Sequence, residues 1–575
     1  MIDGGEALLE VLKSHGVEYI FSSPGSEWPP VWESLIRRYN QGDRTIKYIN
    51  CRHETTAVAA ALGYAWTSGR LPAVLLHANQ GVLNGAMAIH AAYRSHTPMI
   101  ICTGDISLYG EDIDGKYKSL NNPPMQGSGL SSIGGNHSLV RSYVKWSNAV
   151  ASKDTLVGSL SRGCAIAQAA PQGPVVLSIP WEFLVLPHPE VSLRPVSPMS
   201  LPSGNPGDME AVAQQLLESK QPVILTGYAG NSAETNSKLV ELAELLSIPV
   251  FETGNVANFP KNHPLYCGYN ATEALTEADT IFLIGATAPW RPSAAFPKNN
   301  ARLISVGQDP LNQRLSYWGY RVDLMVSADI GQFLSALVDI IRRRLQKSGN
   351  SDHRDRFEWC QAKHQLITQT WESEALAEQS SEEITTRWFL YAASKVLPDN
   401  CIISDETISH GTFIQRYLGK PGTYYRSGMG VGMGTAAGIK LVRPEQPVIH
   451  MTGDGGFNYT PVLAGLGLMQ EFNLPVLTII LNNASYSAMR DAHRRDYPQG
   501  LAVKQQTFLG VNITPLPNYA KIADVFGGYG ERLEKPTEIE PALNRAMEQI
   551  AAGKPAVLDV IVERKDPRVK DIPVK

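Results

Sequence analysis

An α/β fold of three domains, each with a mainly parallel sheet flanked by helices, is predicted by three observations on this sequence. Short apolar runs alternate with amphipathic helical periods from end to end. At 575 residues the chain is too long for one core. A Pro-rich stretch, "LPHPEVSLRPVSPMSLPSGNPG", breaks all periodicity at residues 186–207 and divides the pattern into blocks.

The first block, residues 1–190, predicts strands at 19–22, 73–77, 99–103 and 175–179, with helices at 5–14, 54–67 and 85–94. Residues 191–207 form the linker. The second block, 208–345, repeats the pattern in "PVILTG", "IPVFETG", "TIFLIG" and "ARLISVG", each strand ending in glycine as if turning towards a helix. A charged segment, "RRRLQKSGNSDHRDRFEW", opens a second expected linker over 346–379. The third block, 380–575, has strands at 401–404, 448–451, 476–481 and 557–562. The first and third blocks read as the same kind of unit.

Bulk composition narrows the function classes. Charged residues at 18 % and apolar ones at 43 % describe an ordinary globular protein. A formal net charge of −4 gives no reason to expect nucleic acid or an anionic membrane as partner. Apolar runs fall far short of the roughly 20 residues of a membrane span, and the N-terminus lacks a signal-peptide core. The six cysteines are scattered with no C-x-x-C, so no disulfide scaffold or zinc site is expected. Cytoplasmic location is the expectation.

The chemistry is carried by "GDGGFNYT" at 453–460, directly after an apolar strand. A strand, a Gly-rich turn and a helix let backbone approach phosphate. Neither a Walker lysine nor a dinucleotide fingerprint is present, which disfavours a Rossmann dehydrogenase. Asp454 is repelled by a phosphate unless a cation lies between them. Downstream, the strand "PVLTIILNN" ends in Asn482 and Asn483, followed by Ala484, Ser485 and Tyr486. In a parallel sheet, carboxyl ends of neighbouring strands face one crevice. Asp454 and Asn483 lie one helix-and-strand unit apart, so both oxygens can reach one ion, a hard-oxygen set suited to Mg²⁺.

G-D-G followed roughly thirty residues later by N-N resembles the diphosphate motif of thiamine diphosphate enzymes. The three blocks look like that superfamily's pyrimidine-binding, central and diphosphate-binding domains. The resemblance implies thiamine diphosphate and Mg²⁺ as cofactors. Asp454, Asn483 and the Ser485 carbonyl would be the metal ligands, while Gly453, Gly455, Gly456 and Tyr486 would surround the diphosphate. Glu54 in "RHETTAVAAALGYA" matches the glutamate that activates the aminopyrimidine. In "RSGMGVGMGTAAG" either Met429 or Met433 could wedge the two cofactor rings together; the family pattern falls on Met429, flanked by Gly428 and Gly430. Thr407 and Ser409 join the expected cofactor contacts.

Other stretches look most like benzoylformate decarboxylase, within the wider acetohydroxyacid synthase and 2-oxo acid decarboxylase group. "SPGSEWPP" places Ser26 where such enzymes hold a substrate carboxylate, and "LLHANQGVLN" places His77 as a proton-transfer group and Asn84 beside the cofactor. Ala488 and Met489 would border the substrate. There is one departure: the second catalytic histidine of that family is missing from "ATAPWRPSAAFP", where Pro292 falls near its place. His53, His90, His96, His137 and His410 are candidate substitutes, and Trp290 and Arg291 alternative substrate contacts. The expected activity is non-oxidative decarboxylation of a 2-oxo acid, carboligation to an aldehyde or oxo acid, or both. The alternatives are an acetolactate-synthase-like carboligase or a 2-hydroxyacyl-thioester lyase, with FAD or ADP in the central domain, and an inactive regulatory paralogue. The resemblance also implies a homodimer or homotetramer with active sites at the subunit interface. Segments 105–135 and 490–516 are candidate lids.

Overall fold

Three parallel sheets carry the chain. The structure is a computed structural model that describes residues 2–23, 25–105, 133–253, 256–290, 296–348 and 353–563. The first sheet runs, edge to edge, Lys47–Asn50, Tyr19–Ser22, Ala73–Leu76, Met99–Asp105, Pro174–Pro180, Trp146–Ala149. The last runs Tyr424–Arg426, Ile402–Asp405, Val448–Gly453, Val476–Asn482, Ala556–Ile561, Tyr529–Leu533. All pairs in both are parallel. Counted along each unit, the two sheets share one strand order, so the likeness of the first and third blocks extends to topology. The central sheet has five parallel strands: Val250–Glu252, Pro222–Thr226, Thr280–Ile284, Arg302–Gly307 and Leu324–Ser327.

The central unit has its own core around Phe251, Phe282 and Phe333. The first unit has a core around Leu8, Trp28 and Leu177 and the third one around Ile403, Leu477 and Leu558, and the two share a further core in which Val58, Ala59 and Leu62 meet Met433, Ala436 and Leu466. The contact is between helices Glu54–Ser68 and Gly432–Val442. The first is Ala-rich and apolar all round, which suits a helix buried on every side. It starts where the His53 side chain accepts from Thr55 N, and it stops at Gly69 in the left-handed conformation, φ +69°. Glycines set the approach of its partner: a Cβ on Gly434 would stand 2.7 Å from Ala59 Cβ.

Residues 189–205 run without helix or strand, as their prolines predict. Most of the second expected linker, 346–379, is instead the 23-residue helix Arg354–Leu376. Its apolar stripe is narrow, with Cys360 and Ala375 as its buried positions, so periodicity did not announce it. Arg356 Nε donates to the Ser247 carbonyl at 2.9 Å, and Trp371 stacks on Tyr269, which fasten this helix to the central unit.

Candidate active site

Parallel strands end at the same edge, and the sequence places its chemistry there. Asp454 follows strand Val448–Gly453 and opens a short helix, 3 % exposed. Its Oδ1 accepts from Gly455 N at 2.9 Å and its Oδ2 from Ser485 N at 3.1 Å. Burial pushes its carboxyl up to about 6 against the lowering effect of those amides and that of Ala484. Ala484 makes the turn possible at φ +53°, a conformation that costs a residue bearing a Cβ. The turn is clamped from outside, where Tyr486 N donates to Val511 O at 2.7 Å and Ile513 N to Ala484 O at 3.0 Å.

The two asparagines divide the work. Asn482 turns inward: its Nδ2 donates to Asp559 Oδ1 at 2.8 Å and its Oδ1 accepts from Ala484 N at 3.1 Å. Asn483 is held differently: its Nδ2 donates to Ser487 Oγ at 2.9 Å, which fixes the amide. Tyr486 covers Gly455, where a Cβ would meet its ring at 2.8 Å. Asp454, Asn483, Ser485 and Tyr486 are therefore gathered as the sequence predicts.

A second group lines a cleft between the units. Thr407, Gly428 and Met429 face it, together with Arg94 and Ser95 of the first unit and Tyr228 of the second. Met429 is 36 % exposed, while Met433 is fully buried in the core, which separates the two candidates for the wedge. Gly430 is left-handed, φ +76°, and a Cβ there would crowd the Tyr459 carbonyl oxygen at 3.1 Å. Ser409 lies half-buried beyond Thr407.

The first unit supplies the third group. Glu54 is 9 % exposed at the start of its helix, and Asn84 Nδ2 donates to its Oε2 at 3.1 Å. His77 follows strand Ala73–Leu76, and its Nδ1 lies 2.8 Å from Glu27 Oε2. That hydrogen bond raises the imidazole above its ordinary 6.5, against the opposing effect of burial. Ser26 is exposed beside this pair. Helix Asn79–Arg94 links the groups: Asn84 meets Glu54, Met87 packs at Gly430 and Ala91 at Gly428.

Sequence reasoning missed Glu27, although it stands in "SPGSEWPP". The signal was a carboxylate next to the expected substrate contact; its burial against Gly104, where a Cβ would overlap its side chain, is a tertiary fact. Several candidates stand elsewhere. His53 caps its helix, His96 is half-buried and pushed down to about 4 by desolvation, and His90 packs edge-on to Tyr143. His137 is lowered by burial, and His410 is buried. Trp290 is held by Tyr320, whose OH donates to its carbonyl at 2.7 Å, while Arg291 and Pro292 lie outside the described residues. So does most of segment 105–135. Segment 490–516 holds helix Leu501–Gln505 and carries exposed Tyr497, Leu501 and Leu509. Ala488 and Met489 sit on helix Ser487–Asp496, Met489 exposed.

The groups present fit a diphosphate and a hard cation. Thr407 Oγ1 and Ser485 Oγ are buried without a hydrogen-bond partner, as atoms awaiting a polar ligand would be. Among the described residues no three His, Cys, Asp or Glu side chains cluster as a metal site. The donors on offer are one carboxylate, one amide oxygen and one backbone carbonyl, which suit Mg²⁺ rather than zinc.

The chain is 27% identical to benzoylformate decarboxylase of Pseudomonas aeruginosa over 98% of this chain and 99% of that one. It is 25% identical to the large subunit of acetolactate synthase isozyme 3 of Escherichia coli, covering 98% and 95%. It is also 25% identical to 2-hydroxyacyl-CoA lyase 2 of Danio rerio, covering 99% and 93%. The fold matches a Rhodococcus jostii thiamine diphosphate-dependent 4-hydroxybenzoylformate decarboxylase with a TM-score of 0.77 at 21% identity, over 98% of this chain and 100% of that one. Residues 2–125, 209–337 and 409–560 match the N-terminal TPP binding, central and C-terminal TPP binding domains of thiamine pyrophosphate enzymes, and the chain belongs to that enzyme family.

Proposed function

We propose that the chain uses thiamine diphosphate and Mg²⁺ to decarboxylate a 2-oxo acid without oxidation, to join the remaining fragment to an aldehyde or second oxo acid, or both. One observation carries this: a buried carboxylate, Asp454, meets the Asn483–Ser485 turn at the carboxyl edge of a parallel sheet. Asp454, the Asn483 side chain and the Ser485 carbonyl hold the metal, and Gly453, Gly455, Gly456, Thr407, Ser409 and Tyr486 surround the diphosphate. When bound, the cofactor supplies a carbon nucleophile and an electron sink for the bond next to the substrate carbonyl. Glu54, oriented by Asn84, holds a proton at the aminopyrimidine ring nitrogen. Met429, between Gly428 and Gly430, would pack against the bound cofactor. Glu27 takes the Nδ1 proton of His77 as its hydrogen-bond donor, which turns Nε2 towards the substrate as a proton carrier. Ser26 holds the substrate carboxylate, and Ala488 and Met489 border the pocket.

The three blocks act as domains with limits 1–190, 208–345 and 380–575. Leu83, Leu463 and Met489 are about 60 % exposed near these groups, with Met87 and Tyr459. This apolar surface supports a homodimer, or a homotetramer made of two such dimers, whose active sites are completed across the subunit interface. A cytoplasmic location is consistent with the lack, among the described residues, of any helix long and apolar enough to cross a membrane.

A second reading, a carboligase or 2-hydroxyacyl-thioester lyase with FAD or ADP in the central unit, is favoured by one feature. A cleft lies at the carboxyl ends of the central strands, lined by Gly285, Gly307, Gln308, Asp309 and Asp329. Intact Glu54, Asp454 and Asn483 count against an inactive paralogue. The experiment is to incubate the protein, loaded with thiamine diphosphate and Mg²⁺, with a panel of 2-oxo acids, with and without aldehydes, and to weigh the products. Release of CO₂ or a ligated product supports the proposal; no turnover of any 2-oxo acid contradicts it.

A further inference from the structure

Beneath the cofactor-facing loops lies a buried pair that the roles above do not use. Glu406 follows strand Ile402–Asp405, and His450 sits within the neighbouring strand Val448–Gly453; neither side chain has any exposed surface. His450 Nε2 lies 3.0 Å from Glu406 Oε1. Glu406 Oε2 accepts from Gly432 N at 2.8 Å, and Thr460 Oγ1 donates to Oε1 at 3.2 Å. One carboxylate thus ties together four stretches of chain. Thr407 is its own neighbour, Gly428–Met429–Gly430 lead into Gly432, and the Gly453–Gly456 turn lies between His450 and Thr460. The fit is close: a Cβ on Gly432 would stand 2.8 Å from His450 Nε2, and one on Gly456 would stand 2.8 Å from Thr452 Oγ1 and 3.8 Å from Glu406 Oε1.

Stability alone does not favour this arrangement. A buried ion pair is often replaced by apolar residues at no loss. His450 Nδ1 is, moreover, buried without a hydrogen-bond partner, and half-satisfied networks cost free energy. Burial opposes ionisation of Glu406, but His450 and the Gly432 amide outweigh it and hold the carboxyl below its ordinary value. What the pair supplies that apolar groups cannot is a fixed spacing among three loops.

We propose that Glu406, oriented by His450, is a positioning residue that sets the Met429 loop against the Gly453–Gly456 turn and so shapes the cofactor site before any ligand arrives. The inference rests on the thiamine diphosphate reading given above. Reach matters more than charge in this arrangement. Glu406→Asp keeps the charge but withdraws it by one methylene, whereas Glu406→Gln keeps the reach and an oxygen for Gly432 N.

The test titrates each apoprotein with thiamine diphosphate in excess Mg²⁺ by calorimetry, alongside kcat and KM at saturating cofactor. E406D is expected to bind at least about tenfold more weakly than wild type. Its kcat should fall up to about 10²-fold with little change in KM, because the loss is one of alignment. E406Q should recover most of the affinity that E406D loses. Thr460→Val, an isosteric change, should weaken binding about threefold by the same route, and it carries the test if E406D does not fold. Wild-type affinity in E406D, or in T460V where that variant carries the test, overturns the inference, as does E406Q being no better than E406D. Wild-type protein that binds no thiamine diphosphate overturns the cofactor reading itself, and the inference with it.

Discussion

Replacing Gly438 by alanine adds one methyl group at the contact that fastens the first unit to the third. The new Cβ would lie 2.8 Å from the Ala60 carbonyl carbon and 2.9 Å from Tyr64 N, and nearer still to the Ala60 carbonyl oxygen. Ordinary carbon contacts are about 3.5–4.0 Å, so the helices must part by roughly 1 Å. The obstacle is backbone inside a shared core, and overpacking of this kind costs about 1–3 kcal/mol. Alanine gains up to about 1 kcal/mol over glycine in a helix, which offsets only part of that cost. A net loss of about 1–2 kcal/mol is therefore expected, together with a shift of the Glu54 helix large enough to reduce kcat up to about 10²-fold. Gly158→Ala is the control: it lies in helix Leu156–Gln168 and its Cβ would meet nothing within 4 Å, so the propensity gain should appear alone. Urea unfolding of both variants, followed by fluorescence, gives the comparison. If G438A unfolds at or above the wild-type midpoint, as G158A should, the close-packed junction is refuted.

Three further outcomes are expected. Glu54→Gln should retain the cofactor yet slow hydrogen–deuterium exchange at its C2 position by several powers of ten, beyond the roughly 10²–10⁴ of a general acid or base; NMR after acid quench reads it, and an unchanged rate removes Glu54 from the mechanism. Because the Glu27 hydrogen bond raises His77, the stability this pair adds is complete below 6.5 and fades as pH rises through the raised value; melting curves should show wild type losing ground to Glu27→Gln as pH increases from about 5 to 9, and parallel curves would deny the pair. Mixing inactive Glu54→Gln and Asp454→Ala subunits should restore up to half the activity of a normal dimer, since a two-fold assembly with shared sites holds one intact site per heterodimer; proven subunit exchange without recovery would mean that each chain builds its own site.

The buried parts of the fold were legible in the sequence and the edges were not. Val448–Gly453 and Val476–Asn482 are covered on both faces, so they read as largely apolar runs without a polar alternation. The strands that escaped, Ile2–Asp3, Lys47–Asn50, Trp146–Ala149, Pro187–His188, Leu324–Ser327, Tyr424–Arg426 and Tyr529–Leu533, are all edge strands with polar or half-exposed positions. Helix Arg354–Leu376 hid for a related reason, since a narrow buried stripe leaves little period to read. At the site, Asp454 and Asn483 could be paired from spacing because their neighbouring strands end at one edge, whereas His77, at a strand end of another sheet, stood out only through a family motif. Glu27 and the Glu406–His450 pair could not be found in either way. Their significance lies in partners 50 and 44 positions away, and nothing local marks such contacts.

Calorimetric titration of wild type and Asp454→Ala with thiamine diphosphate, with and without Mg²⁺, tests the central claim most directly. Wild type should bind the cofactor tightly when the metal is present and poorly when it is chelated. The variant should keep its fold, lose the amide contacts that Asp454 accepts from Gly455 and Ser485, and show no metal-dependent binding. Equal affinity in the two proteins, or binding by wild type that ignores the metal, would contradict the assignment of this turn as the metal and diphosphate site.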